Sequence, residues 1–347
     1  MTQRDRLQSR GMSERPVRAR APLPGISSRA WEHPADKGAL VALRKLRGFD
    51  TVLKALSGLI RERAVRLQLL GGAVRVDERQ FATMHRLLTD VGATLDVNGV
   101  PELYVSASPF LNAVTIGIDR PTIVVNSAMV DLLDEDEMRY LLGHELGHAI
   151  SGHALYQTML QRLLGLTGVI AAIPLGGLGL RVIIAALMEW SRKAELSADR
   201  AGLLATQDPS VAYRFHMKLA SGGHLDELDV ASFFEQGQEY DESGDMRESL
   251  LRLTMVERKT HPYAVVRAKE LRRWVDGGAY TAILAGTYPL RVDDADADIS
   301  EAAREAAQSY AEQFSSAADA LGRVLHETAG LVGSVKGWFD ETLRRDR

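Results

Sequence analysis

The chain has no cysteine among its 347 residues. Disulfides are excluded, and so is any metal site built on thiolates; a metal must be held by His, Asp or Glu. A strong charge of either sign is also missing. The formal net charge is −4, too small to pull the protein toward nucleic acid, so no nucleic-acid partner is expected. The opening stretch, "MTQRDRLQSRGMSERPVRARAPLPG", has six arginines in its first 20 residues and no apolar run. A secretory signal needs a central apolar stretch, so a cytoplasmic location is expected, and residues 1–30 read as a solvated, disordered leader. A long apolar run is absent elsewhere as well. Residues 163–180 are uncharged, but Pro174, Gly176, Gly177 and Gly179 break them, and Arg181 interrupts the run before it resumes over 182–188. A spanning helix needs about 20 apolar residues. Two readings of 163–188 stand: a buried or surface-docked helical hairpin, and a hairpin that makes peripheral contact with a membrane. No internal repeat is found.

What is present is ordinary globular usage, with 46% hydrophobic and 25% charged residues. From Pro34 to Leu70, apolar residues recur at helical spacing and suggest two helices broken near Gly48. Residues 77–95 read as another helix, with Phe81, Met84, Leu87 and Leu88 on one stripe. Then the period changes. "ELYVSAS" (102–108), "NAVTIGI" (112–118) and "TIVVNS" (122–127) are short β-branched or alternating runs that read as a small sheet. Residues 131–164 form a long helical pattern with acidic residues at its start, where the helix dipole favours them. Helical patterning returns from Ser191 to about Gln238. An acidic linker, 293–301, precedes an amphipathic helix over 302–347, whose stripe (Phe314, Leu321, Leu325, Val332, Val335, Phe339) suits packing or self-association through 302–345. The expected folded domain is 31–292, helical to about 98 and with a catalytic core over 99–275.

The chemistry concentrates in "GHELGHAISGH", residues 143–153, which hold three of the nine histidines. His144 and His148 are four apart, so they sit about 40° apart on one helical face and both imidazoles reach one ion. Glu145, beside the first of them, stands where a carboxylate meets an activated water. H-E-x-x-H on a helix is a zinc arrangement: two nitrogen ligands and a general base. The third ligand decides the class. The signature H-E-x-x-H-x-x-G-x-x-H would need Gly at 151 and His at 154, and the chain has Ser151 and Ala154. If the helix continues through Gly152, His153 points to the far side, so a capping or structural role is expected for it. Residues 189–202, "EWSRKAELSADRAG", offer the alternative ligand. Glu195 and Asp199 are again four apart. Glu195 would complete a His₂Glu set with a position left for water. Asp199 would accept the outer N–H of a ligand histidine and fix its tautomer. Ala194, Ala198, Ala201 and Gly202 permit close helix packing there.

These pieces, with "THPYAVVRAKEL" and "NAVTIG", resemble the gluzincin metallopeptidases of the HtpX and CAAX prenyl protease type 1 family. The resemblance spans about residues 101–271. It implies that Asn112 and Ala113 begin an edge strand that holds the substrate backbone, with Val114 where a Phe is usual. It also implies that His261 and Arg267 help stabilise the oxyanion. Integral members carry apolar spans before the zinc motif, and the region from 35 to 75 is too charged to match them. The expected fold is α+β and predominantly helical: a zincin-like core with a small mixed sheet packed on the H-E-x-x-H helix and extra helices at both ends. The expected function is a zinc endopeptidase with one Zn²⁺ per chain, acting on extended protein or peptide segments bound by β-strand addition. The competing class is a zinc-stabilised binding or chaperone-like scaffold without peptidase activity.

Overall fold

A computed structural model describes residues 20–46, 48–59, 62–117, 120–165, 178–242 and 263–314. Everything below concerns those residues. The sheet is small and mixed. Its strands are β1 (Val74–Arg75), β2 (Glu102–Ser106), β3 (Ala113–Ile116) and β4 (Thr122–Asn126), in the order β1-β2-β4-β3. β2 and β4 run parallel, while β1 and β3 pair antiparallel with their neighbours. β3 is therefore an edge strand. Its burial alternates, with Ala113 and Thr115 pointing inward and Val114 and Ile116 half-buried, the period-2 pattern of a strand with one covered face. β1, only two residues long, is too short to leave a readable pattern in the sequence.

The helices supply the rest. α1 (Pro34–Arg44), α2 (Phe49–Leu59) and α3 (Glu62–Gly72) precede the sheet, and α4 (Ala82–Thr94) follows β1. After β4 come α5 (Ser127–Leu132), α6 (Glu135–Ile150), α7 (His153–Gly165) and the long α8 (Leu178–Thr206). α9 (Pro209–Ser221), α10 (Val230–Glu242), α11 (Ala264–Asp276) and α12 (Ala279–Leu284) complete the named set, and residues 301–314 are helical. α6 starts in a capping box. The Asp134 side chain accepts from Glu137 N at 2.9 Å, and Glu137 Oε2 accepts from Asp134 N at 3.0 Å, satisfying donors that a helix start leaves open. Among the described residues no helix is long and apolar enough to cross a membrane. The turn of the expected hairpin, 166–177, lies outside them.

Two apolar cores flank α6 and α8. The first joins the sheet, α4, α6 and α9 through Leu88, Leu103, Ile123, Leu142, Leu204 and Phe215. The second joins α1, α7 and α8 through Leu43, Tyr156, Leu160, Leu187 and Trp190. Between them α6 and α8 touch almost backbone to backbone. A Cβ on Gly143 would lie 2.4 Å from Ala205 Cβ, and one on Gly147 would lie 2.6 Å from Ala201 Cβ. Small residues on both helices permit that approach.

Four expectations change. The expected leader is packed from Arg20 onward, not disordered to residue 30. Leu23 and Ile26 are buried, Arg20 pairs with Asp136 at 2.8 Å, and Ile26 bridges to Leu290. Counting arginines hid the two apolar anchors behind them. The expected acidic linker is tied down at Asp294, whose Oδ1 accepts from Ser27 Oγ at 2.6 Å. The start of the C-terminal helix is not a separate appendage either, since Tyr310 and Phe314 are buried in the second core. The long helical pattern over 131–164 is two helices: α6 ends at Ile150, Gly152 turns into the left-handed region at φ +72°, and α7 begins at His153. Only glycine takes that conformation without strain.

Candidate metal centre

α6 carries His144 and His148, and α8 crosses it with Glu195 facing both. His144 Nε2 lies 3.4 Å from Glu195 Oε2, and His148 Nε2 lies 3.3 Å from Glu195 Oε1. All three side chains are buried, and their donor atoms form a cluster able to hold a metal ion. The two histidines face different oxygens of Glu195, and taking one donor atom from each residue the three lie within 4.8 Å of one another, close enough to share one ion. Two imidazole nitrogens and a carboxylate oxygen are also the donor chemistry of a zinc site that keeps one position open.

The second nitrogens point outward to fixed partners. His144 Nδ1 lies 3.1 Å from Asp199 Oδ1. Asp199 also accepts from the Tyr140 hydroxyl at 2.9 Å and from both arms of Arg267, Nε at 2.8 Å and Nη2 at 2.6 Å. Arg267 Nη1 is 3.3 Å from Glu195 Oε2. The guanidinium that the resemblance assigns to the oxyanion is therefore committed to two carboxylates of the site. Burial pushes Asp199 up, but the charges of Arg267 and His216 and the hydrogen bonds from Arg267 and His144 together outweigh it and hold the carboxyl far below its usual range. His216, packed against the Tyr140 hydroxyl at 3.1 Å, is pushed down to about 3 by burial.

The ligand histidines differ. Burial pushes His148 down to about 4. Burial also opposes the charged form of His144, but hydrogen bonds to Asp199 and Glu195 prevail and raise it to about 9. His144 stands between two carboxylates, whereas His148 has Glu195 on one side and another imidazole on the other. Glu145 is buried and pushed up to about 7, chiefly by burial and against the lowering effects of His144 and Thr115. The Thr115 hydroxyl, on β3, sits 2.7 Å from Glu145 Oε2. A carboxylate poised near neutrality is what a general base needs.

A cleft opens over these residues, lined by Ala113, Val114, Glu145, His148, Gln157 and Glu195. Ala113 is buried at the start of β3, and Asn112 is exposed just before it, its carbonyl accepting from Asn126 N at 3.0 Å. So the edge strand, Glu145 and two members of the triad, His148 and Glu195, share one opening. His261 lies outside the described residues.

The sequence pattern of peptidase family M48 matches residues 78–275. The chain belongs to that family. It is 34% identical over 259 residues to the plastoglobule-localized metallopeptidase 48, chloroplastic, of Arabidopsis thaliana, covering 73% of this chain and 74% of the relative. It is 24% identical over 149 residues to the protease HtpX of Xylella fastidiosa, covering 42% of this chain and 50% of that protein. A Xanthomonas axonopodis HtpX protease is 26% identical over 152 residues, with the same coverage. The chain thus spans about half the length of the HtpX relatives. No solved structure matches it. With the family in hand, the chain is a protease, and His144, His148 and Glu195 form a cluster able to hold a metal ion inside its M48 segment.

Sequence reasoning missed several members of the site. Thr115 was readable only as an inward position of an alternating strand. Tyr140 lies one helical turn before His144, a spacing that could have singled it out. His153 was expected to point away. Instead, because the helix breaks at Gly152, its Nδ1 lies 2.9 Å from His148 Nδ1. Nothing in the local sequence signals Asp36, whose Oδ2 lies 3.0 Å from His153 Nε2.

Proposed function

We propose that the chain is a zinc endopeptidase that cleaves extended protein or peptide segments. The observation that carries this reading is the buried His144–His148–Glu195 cluster, its donor atoms within 4.8 Å of one another, with Glu145 beside it. Zinc held there would supply Lewis acidity, polarising the scissile carbonyl and acidifying water toward neutrality. Glu145 takes the proton of the attacking water and delivers it to the leaving amine. Thr115 orients that carboxylate. Asn112, Ala113 and the rest of the β3 edge hold the substrate backbone as an added strand. Arg267 pairs with Asp199 and Glu195 and holds both in place, and His261 is the proposed partner of the developing oxyanion.

The test is cleavage of an unbiased peptide library by the full chain, with and without a chelator, beside Glu145→Gln. That variant keeps the shape and hydrogen-bonding capacity of the base but cannot take the proton. It should retain zinc and lose about 10²–10⁴-fold in turnover. Zinc binding without any cleavage by the parent would favour the scaffold reading instead.

A further inference from the structure

We propose that His153 and Asp36 form a proton-ordered relay behind the metal ligand His148. The relay makes α1, which lies upstream of the family-matched segment, a working part of the metal centre. The two residues are positioning residues, since neither reaches the ion or the substrate.

The argument is one of donors and acceptors. A neutral imidazole has one N–H and one lone pair. His148 Nε2 faces Glu195 at 3.3 Å, so the lone pair that binds a metal belongs on Nε2 and the hydrogen on Nδ1. That N–H meets His153 Nδ1 at 2.9 Å, which must therefore accept. His153 then carries its hydrogen on Nε2, 3.0 Å from Asp36 Oδ2. Asp36 accepts it, and also accepts from Ser197 Oγ at 2.6 Å and from Trp190 Nε1 at 2.9 Å. Gln157 Nε2 also lies 3.4 Å from His148 Nδ1; with that amide turned so that its oxygen, which otherwise has no partner, faces the imidazole N–H, every donor finds an acceptor in this arrangement. The opposite tautomer of His153 sets two N–H groups against each other and leaves Asp36 one donor short. The chain of bonds thus imposes the metal-binding tautomer on His148 from a distance.

The surroundings suit that purpose. His153 and Asp36 are 3% and 1% exposed, so water does not substitute for either. The left-handed turn at Gly152 aims His153 back at His148. Pro34 opens α1 and puts Asp36 in its first turn, and the same carboxylate binds α8 through Ser197 and Trp190. The two ligand histidines are therefore braced differently: His144 directly by a carboxylate, His148 by a carboxylate acting through an imidazole. Outer partners of this kind usually contribute ~10–100-fold to metal affinity.

The inference rests on the metal-site reading, and the experiment separates the two. Zinc affinity of the full chain is measured by chelator competition for the parent, His153→Ala, Asp36→Asn, the double variant and His153→Gln. The melting temperature of each metal-stripped protein is recorded alongside. His153→Ala and Asp36→Asn should each weaken zinc ~10–100-fold. The double variant should be no weaker than His153→Ala alone, because both act along one path. His153→Gln, whose amide oxygen accepts and whose amide nitrogen donates, should recover most of the affinity. Affinity within twofold of the parent for His153→Ala, or losses that multiply in the double variant, would overturn the relay. So would a loss accounted for by collapse of the metal-stripped melting temperature, with His153→Gln failing to restore binding. A parent that binds no zinc overturns the metal-site reading and the relay together.

Discussion

Gly147→Ala adds one methyl group one residue before His148, and the consequences follow from helix separation. The new Cβ would lie 2.6 Å from Ala201 Cβ on α8. Non-bonded carbons rest at about 3.5–4.0 Å, so roughly 1 Å must open between α6 and α8. Glu195 rides on α8, and its Oε1 lies 3.3 Å from His148 Nε2. Opening the helices stretches that edge beyond what one small ion spans. Overpacking costs about 1–3 kcal/mol, while replacing a helical glycine with alanine contributes about 1 kcal/mol. The net change in stability is therefore small, roughly 0–2 kcal/mol, and stability is the wrong readout. Metal and turnover are the right ones, since a 1 Å misplacement at a reacting centre costs on the order of 10²-fold. The assay is zinc stoichiometry and peptide cleavage for Gly147→Ala, Ala201→Gly and the pair. Ala201→Gly removes the methyl that clashes, so the double variant should return toward parental zinc content and turnover although each single change alters a helix. Parental zinc and turnover in Gly147→Ala alone would refute the close packing, and so would a double variant no better than the single.

Arg267→Met strands Asp199 and Glu195 as buried carboxylates, and breaking such a pair typically costs ~3–5 kcal/mol. Urea unfolding should show that loss, and an unchanged midpoint would contradict the charge-balancing role. In metal-free protein, pH dependence has a defined sign. His144, raised to about 9, contributes stability fully below its ordinary value of 6.5, and this is lost as pH rises through about 9. Glu145, raised to about 7, keeps a proton that the unfolded chain releases near 4.5, so stability also falls from there to about 7. His148 and His216, pushed down to about 4 and 3, act in the opposite sense below 6.5. Melting temperatures of the metal-free protein should therefore decline between about pH 7 and 9, and Glu145→Gln should make stability rise more steeply with pH between about 4.5 and 7 than in the parent. Truncation after Ser300 removes Tyr310 and Phe314 from the second core. Each large side chain is worth about 1.5–3 kcal/mol, so thermal melts should drop markedly while zinc stoichiometry holds at low temperature. An unchanged melt would show the tail to be dispensable.

The sequence by itself determined the chemistry-bearing face of α6 and its partner on α8. Four-residue spacings of His144 with His148 and of Glu195 with Asp199 are local helical geometry, and local geometry survives any tertiary arrangement. Small residues around Glu195 announced close packing, and Gly143 and Gly147 answer them from α6. The period-2 runs marked three of the four strands for the same reason. Tertiary structure decided what no local period encodes. A single left-handed residue, Gly152, ended α6 and turned His153 back toward the metal centre, where a continuous helix would have carried it away. Asp36 reached that centre from a helix more than a hundred residues upstream of His148, because α1 packs on α8 in the second core. Arg267 was legible only by resemblance, and its commitment to Asp199 and Glu195 emerged only when α11 was seen against α8. Leu23 and Ile26 found their places in the first core, beneath a run of arginines that composition alone reads as disorder. In each case the deciding interaction joins groups distant in the chain, and burial supplied the constraint: a buried polar group must find a partner, wherever in the sequence that partner lies.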